Sequence, residues 1–178
     1  MRNKTLPLVR CALFVAAMAV CAWICLPLSV SFTLQVLALF LAAGVLGVGE
    51  CFASCLVYLA LGAVGLPVFA GFQGGVGVLL GATGGFLLSF PLVAPLTALL
   101  LGRFGKSLVG RFLWMLPGLF LLYIGGVLWF SLVYTQGAAS LWGAALALVL
   151  PFLLPDLLKL FAAAFLSLRL KKNGALDL

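Results

Sequence analysis

An aspartate and a lysine stand three positions apart in a segment of the sequence that is otherwise almost free of charge. The stretch LLPDLLKLFAAAFL, residues 153–166, contains Asp156 and Lys159 and no other ionisable side chain. Residues three apart on a helix share one face, so these two can form an ion pair. The lysine could also offer its positive charge to an anionic ligand, while the aspartate holds it or accepts hydrogen bonds from ligand donors. The pair is therefore either a structural salt bridge or part of a binding site.

The chain that carries this pair has the composition of a membrane protein. Apolar residues make up 66% of the sequence, charged residues 7%, and the mean hydropathy is +1.38. Soluble globular domains carry about 25% charged residues. A membrane-spanning helix needs about 20 apolar residues, so a single membrane domain over residues 1–178 can hold about six spans. The first apolar segment is longer than the apolar core of a signal peptide, so we expect it to be a membrane helix.

Glycine, proline and charged residues divide the sequence into six predicted spans. The connection between the second and third spans is short enough for a tight helical hairpin. Glu50 opens the third helix, where its negative charge suits the positive end of the helix dipole. The sequence thus predicts an all-α integral membrane protein with six transmembrane helices. The predicted spans cover about residues 8–26, 33–48, 50–65, 78–102, 112–134 and 141–168.

The positive charges cluster at three places that six spans would bring to one side of the membrane. Nine of the ten cations precede the first span, lie in the fourth loop or follow the last span. The positive-inside rule makes that side cytoplasmic, together with both termini. The net charge of +7 then reports topology and contact with anionic lipid. No basic face with stacking aromatics is present, so a nucleic-acid partner is not expected. The nine cations are Arg2, Lys4, Arg10, Arg103, Lys106, Arg111, Arg169, Lys171 and Lys172.

The position of Asp156 and Lys159 inside the sixth predicted span favours a binding role for the pair. Each charge near the middle of a bilayer costs about 2.5 to 3.5 kcal/mol on insertion scales. Replacing a buried structural ion pair with apolar residues is often neutral or stabilising, so a purely structural pair has little reason to persist in so apolar a chain. Pro151 and Pro155 precede the pair and free backbone carbonyls toward a cavity.

A second unusual stretch is GLPVFAGFQGGVGVLLGATGG, residues 65–85. Its glycines lack the preceding strand, the following acid and the GK[ST] of nucleotide-binding loops. We expect them to let the backbone approach a ligand or a neighbouring helix closely. Gln73 is the single amide of this stretch. Its donor and acceptor suit a urea-like or amide-like ligand group, and a solvated loop residue is the alternative.

Other candidate residues have plainer interpretations when taken alone. Ala12 and Ala16 form a small-xxx-small pattern that lets helices approach closely, although alanine is common in any span. The five cysteines fall largely at helical spacing in apolar runs and there is no histidine, so buried thiols rather than a metal or cofactor site are expected. Five aromatic residues lie mostly near predicted span ends, which is typical of an interfacial belt: Tyr58, Tyr123, Trp129, Tyr134 and Trp142.

Three motifs resemble the biotin-specific S components of energy-coupling factor (ECF) transporters, the BioY family, and the resemblance covers nearly the whole chain. They are TLQVLAL at residues 33–39, YLALGAVGLPVFAGFQGGVGVLLGATGGFLLSF at 58–90 and LPDLLKL at 154–160. The resemblance implies a six-helix subunit of the cytoplasmic membrane that binds biotin from outside. Such a subunit works alone as a low-capacity importer, or actively with a transmembrane coupling protein and two ATPases.

The resemblance also implies roles for particular residues. Asp156 and Lys159 are implied to bind biotin, with Lys159 as the natural partner of the biotin carboxylate. Loss of Lys159 should then weaken biotin more than biotin amide. An amide near the glycine-rich loop is implied for the ureido ring, and Gln73 is the nearest candidate. Ala12 and Ala16 resemble the AxxxA face that family members dock on the coupling protein.

Two departures from the family pattern concern the outer part of the site. The sequence has GATGGF at residues 81–86 where the family usually has GPTGGY, so Ala82 and Phe86 remove a rigid turn and a hydroxyl. The first loop, within LPLSVSFTLQ at residues 26–35, looks short for a lid. These departures concern lid geometry and affinity more than the identity of the substrate.

Other functional classes fit the sequence less well. A channel needs a continuous polar pore, and an intramembrane enzyme needs a catalytic constellation that one Asp–Lys pair does not supply. An S component for another vitamin remains the main alternative, because a fold does not fix its ligand. The sequence contains no GxxxxGK[ST], so energy for active uptake is expected to come from another protein.

Overall fold

A computed structural model describes residues 5–26 and 32–172, and this part of the chain is almost entirely helical. A two-residue antiparallel pairing of β1 (Cys25–Leu26) with β2 (Phe32–Thr33) is the exception. A 3₁₀ turn, Ala70–Phe72, precedes α4, and a π-helical segment, Trp129–Tyr134, continues α6. The all-α prediction is confirmed. The helices are α1 (Thr5–Trp23), α2 (Gln35–Val45), α3 (Val48–Ala63), α4 (Val76–Leu79), α5 (Gly84–Phe104), α6 (Leu108–Leu128), α7 (Leu141–Leu148) and α8 (Leu150–Lys172).

In the described ranges, four helices are long and apolar enough to cross a membrane. They are α1, α5, α6 with its π-helical continuation, and α8. The apolar helices α2 and α3 have only 11 and 16 residues. The fourth and sixth predicted spans are each divided in two, into α4 and α5 and into α7 and α8. The chain is thus a multi-pass membrane protein whose helices are less uniform than the six spans that the sequence predicts.

The division of the sixth predicted span follows from its prolines. Pro151 lies in the first turn of α8, where a missing backbone N–H is tolerated, and α7 ends just before it at Leu148. Pro155 lies inside α8 and cannot donate to the carbonyl of Pro151. The helix is therefore interrupted at Val149, and it lacks one backbone hydrogen bond at Pro155, next to Asp156.

The first half of helix α8 turns two charged residues inward and two leucines outward. Asp156 and Lys159 are 3% and 6% exposed, whereas Leu154 and Leu158 are 70% and 66% exposed. Water would favour the opposite arrangement. An apolar outer surface around a polar interior is what a lipid environment requires.

Arg111 is not a loop residue, and the prediction that placed it in the fourth loop is wrong. Helix α6 already begins at Leu108, and Arg111 is only 5% exposed in its first turn. Its Nη1 donates to the carbonyl of Gly44 at 3.0 Å and to Ser167 Oγ at 2.8 Å. Even a methyl group on Gly44 would collide with Ser167, so glycine is needed where α2 crosses α8. Arg111 therefore joins α2, α6 and α8.

The hairpin between α2 and α3 agrees with its prediction. Glu50 lies in the first turn of α3, where its carboxylate accepts a hydrogen bond from the Gly47 N–H at 2.9 Å. Arg10 approaches the same carboxylate at 3.8 Å. Most of the predicted lid in the first loop, residues 27–31, lies outside the described residues, as do Arg2 and Lys4.

Candidate ligand-binding cavity

A cavity of about 130 Å³ opens between α2, α5, α6, α7, α8 and the segment that follows α3. A single water needs about 10–15 Å³, so the cavity has room for a small organic molecule. Most of its lining is apolar, including Phe69 from the segment after α3 and both Phe86 and Phe90 from α5. A mostly apolar cavity with a few polar groups is typical of small-molecule sites. The polar lining residues are Thr33, Gln35, Gln73, Thr83, Tyr123, Asp156 and Lys159.

The structure brings Asp156 and Lys159 together as a salt bridge in the cavity wall. Lys159 Nζ lies 2.7 Å from Asp156 Oδ1, and the Tyr123 hydroxyl donates to Asp156 Oδ2 at 2.8 Å. Each carboxylate oxygen of Asp156 therefore has a protein partner. The ammonium of Lys159 carries three N–H donors, and its bond to Asp156 uses one of them. Asp156 is best described as the residue that holds Lys159.

Tyr123 is a site residue that the sequence analysis missed. Its placement in an interfacial belt is wrong, because the side chain is 8% exposed and hydrogen-bonded to Asp156. The same prediction is wrong for Tyr58, which is fully buried. Tyr123 lies 33 positions from Asp156 in the sequence, so no local spacing could have paired them.

The charge balance of the cavity bears on what it can bind. Lys159 is the only cation among the described residues that line it, and Asp156 neutralises it at 2.7 Å. A ligand carboxylate beside this pair would leave one uncompensated negative charge, and unpaired buried charges are strongly destabilising. A neutral group with both donors and acceptors meets no such penalty.

Gln73 lines the same cavity, and the residue is exposed. Its backbone carbonyl accepts a hydrogen bond from the Phe69 N–H at 2.9 Å. Phe69 is fully buried against Gly62, where any side chain would collide with the ring. On the other side of the segment, Trp23 donates to the Pro67 carbonyl at 2.7 Å and stacks on Phe72 at 5.0 Å. The segment between α3 and α4 is thereby held against both of the helices α1 and α3.

The turn with the departures from the family pattern also borders the cavity. Phe86 lines it, and the ring packs over Gly126 on α6. The indole N–H of Trp129 donates to the Gly81 carbonyl at 3.0 Å. The turn around Ala82 is thus held by Trp129 although it lacks a proline.

Ala12 and Ala16 lie apart from the cavity, on the exposed face of α1. Leu8 and Leu13 on the same face are 69% and 54% exposed. Met18, on the opposite face, is fully buried against the rest of the protein. The structure leaves the alanine pair accessible to lipid or to a partner helix.

Membrane-length helices around an internal cavity, with a buried ion pair in its wall, define a multi-pass membrane protein with a small-molecule site. The comparison with known sequences gives the family. The chain belongs to the BioY family, whose family model matches residues 1–175.

Relatives of known name and structure agree with this assignment. The chain is 41% identical over 174 residues to the probable biotin transporter BioY of Pyrococcus horikoshii, covering 97% of this chain and 99% of the relative. It is 41% identical over 170 residues to the biotin transporter BioY of Thermotoga maritima, covering 93% and 95%. Its fold matches the crystal structure of the S component for biotin from an ECF-type ABC transporter with a TM-score of 0.88 and 25% identity, covering 97% and 95% of the two chains.

Proposed function

We propose that this protein is the biotin-binding S component of an ECF-type transporter, which captures biotin in the cavity for import across the cytoplasmic membrane. The single observation that supports this most is the meeting of Asp156, Lys159 and Gln73 in one mostly apolar cavity. Biotin has a polar ureido ring, an apolar ring and chain, and a terminal carboxylate. Polar groups separated by apolar lining are what such a molecule needs.

The charge balance favours the ureido ring, rather than the carboxylate, as the group that meets the ion pair. The ureido ring is neutral, with two N–H donors and a carbonyl acceptor. Lys159 can donate to the ureido carbonyl while Asp156 and Tyr123 hold it in place. The sequence alone favours the carboxylate for Lys159. That assignment would require Asp156 to tolerate a second negative charge beside it.

Gln73 then contacts the carboxylate of biotin. The exposed amide is more accessible to water than the ion pair is. A carboxylate there keeps part of its hydration, which avoids the penalty of burying an unpaired charge. The amide N–H₂ of Gln73 supplies two donors to it.

The topology and the partners complete the proposal. Six spans place both termini in the cytoplasm, with the short helices α2 and α3 as the second and third spans, and the clustered cations support this orientation. Active transport requires a transmembrane coupling protein and two ATPases, because the sequence contains no nucleotide-binding GxxxxGK[ST]. The exposed pair Ala12 and Ala16 is the docking face for the coupling protein. Lipid covers the remaining apolar surface.

A ligand panel on the purified wild-type protein tests the proposal. We expect saturable binding of radiolabelled biotin that unlabelled biotin displaces and that other water-soluble vitamins do not. Specific binding of a different vitamin would establish the main alternative, an S component for that compound. Binding of none of them by protein that is folded in detergent or nanodiscs would refute the S-component assignment.

A further inference from the structure

A buried glutamine at the start of α2 reaches the cavity with one hydrogen-bonding group unused. Gln35 is 6% exposed and lines the cavity. Its Nε2 donates to the Tyr58 hydroxyl at 2.8 Å. Within the described ranges, no hydrogen bond is made to its Oε1, and this oxygen is not sealed away from the cavity space. A buried amide whose acceptor remains open is positioned to take a donor from a ligand.

The orientation of the Gln35 amide is fixed by a chain of hydrogen bonds. The single hydroxyl proton of Tyr58 goes to the carbonyl of Val68 at 2.7 Å. The tyrosine oxygen can therefore only accept from Gln35, so the glutamine must present its N–H₂ to Tyr58. A flipped amide would bring its oxygen against the tyrosine oxygen with no proton between them. Tyr58 thus keeps the carbonyl oxygen of Gln35 available to the cavity.

The depth of Gln35 follows from the contact between α2 and α8. Gly44 and Ser167 lie side by side where Arg111 joins the two helices. Gln35 and Lys159 line the same cavity, so α2 and α8 run in the same direction from that contact. At a rise of 1.5 Å per residue, Gln35 lies about 13.5 Å along α2 and Lys159 about 12 Å along α8. The glutamine and the ion pair are at nearly the same level.

We propose that the Gln35 carbonyl accepts a hydrogen bond from a ureido N–H of biotin and that Tyr58 is the positioning residue that orients it. This inference rests on the proposed function. Lys159 supplies a donor for the ureido carbonyl, each oxygen of Asp156 already accepts one hydrogen bond, and Gln35 supplies a further, neutral acceptor. Because only a ligand with an N–H group at this position can donate to the Gln35 carbonyl, Gln35 is a residue that determines specificity.

A thermodynamic cycle between protein and ligand tests the contact. Biotin and its two ureido mono-N-methyl isomers are titrated into wild-type protein and Gln35→Met, a variant of similar length without an amide. Gln35→Met should weaken biotin roughly ten- to a hundredfold, because a buried ligand N–H loses its acceptor. One methylated isomer already lacks that N–H, so its affinity should hardly change between the two proteins. The preference for biotin over this isomer should therefore shrink by nearly the same factor by which Gln35→Met weakens biotin.

Two further variants separate specificity from support of the fold. Tyr58→Phe should weaken biotin less than Gln35→Met does, and should add nothing in the Gln35→Met background. Gln73→Met, the matched amide control, should weaken biotin without reducing the discrimination against the methylated isomers. Melting temperatures identify any variant that fails to fold. If Gln35→Met fails to fold, Gln35→Leu is used in its place.

The outcomes are decisive for the contact. Equal weakening of biotin and both methylated isomers would make Gln35 a structural residue, and unchanged biotin affinity would remove it from the site. If the wild-type protein binds biotin, either of these results for the Gln35 variant refutes this inference and leaves the proposed function standing. Wild-type protein that does not bind biotin refutes the proposed function instead.

Discussion

Lys159→Met tests the role assigned to the ion pair. The substitution keeps the length of the side chain and leaves Asp156, which is 3% exposed, with only its hydrogen bond from Tyr123. Removing one partner of a buried pair destabilises a protein by about 3–5 kcal/mol. Biotin loses its charged donor at the same time, and truncating one partner of a buried hydrogen-bonded charge contact costs roughly 2–5 kcal/mol in binding. We therefore expect biotin affinity to fall at least thirtyfold.

Equilibrium binding and thermal unfolding of purified protein separate these two effects. The control is the double variant Asp156→Asn with Lys159→Met, which removes the stranded carboxylate. Its melting temperature should recover toward that of the wild type, because no unpaired charge remains in the interior. Biotin binding should stay weak, because the donor at position 159 is still missing.

Two results would refute this reasoning. Near-wild-type biotin affinity in the double variant would make the pair a purely structural salt bridge. A comparison with biotin amide tests the orientation of the ligand. If the ureido ring meets Lys159, then Lys159→Met weakens biotin and biotin amide by similar factors. If Lys159→Met weakens the binding of biotin but not of biotin amide, Lys159 contacts the biotin carboxylate instead, as the sequence alone favours.

Three further predictions concern the mouth of the cavity, the helix contacts and the docking face. Gln73→Leu should weaken biotin by roughly 1–3 kcal/mol, since a polar contact to the ligand is lost; wild-type affinity in a titration would make Gln73 a solvated loop residue. Arg111→Met should lower stability by roughly 1–3 kcal/mol through its lost bonds to two helices, and an unchanged melting temperature would contradict this. Ala12→Trp with Ala16→Trp should preserve biotin binding but abolish ATP-dependent uptake with the coupling protein and ATPases; transport by an intact complex would place the docking surface elsewhere.

The sequence by itself determined the environment, the fold class and the ion pair that lines the cavity. Membrane insertion follows from composition, because a chain with 7% charged residues has too little polar surface for water. Asp156 and Lys159 stand out for the same reason, since charges within a span are expensive and i, i+3 spacing is local. The Glu50 hairpin is equally local, because the cap is made by residues three apart. What the sequence predicts correctly depends on interactions within one or two helical turns.

The tertiary structure decided which distant residues meet these local features. Arg111 is the last residue of the predicted fourth loop, but it is buried because α2 and α8 offer it acceptors 67 and 56 positions away. Tyr123 and Tyr58 have the ordinary sequence context of interfacial aromatics, and only helix packing brings one to Asp156 and the other to Gln35. The local sequence around an aromatic residue does not show which distant residue its side chain contacts. Which aromatics are buried, and which amide faces the cavity, therefore depends on how the helices pack across the bundle.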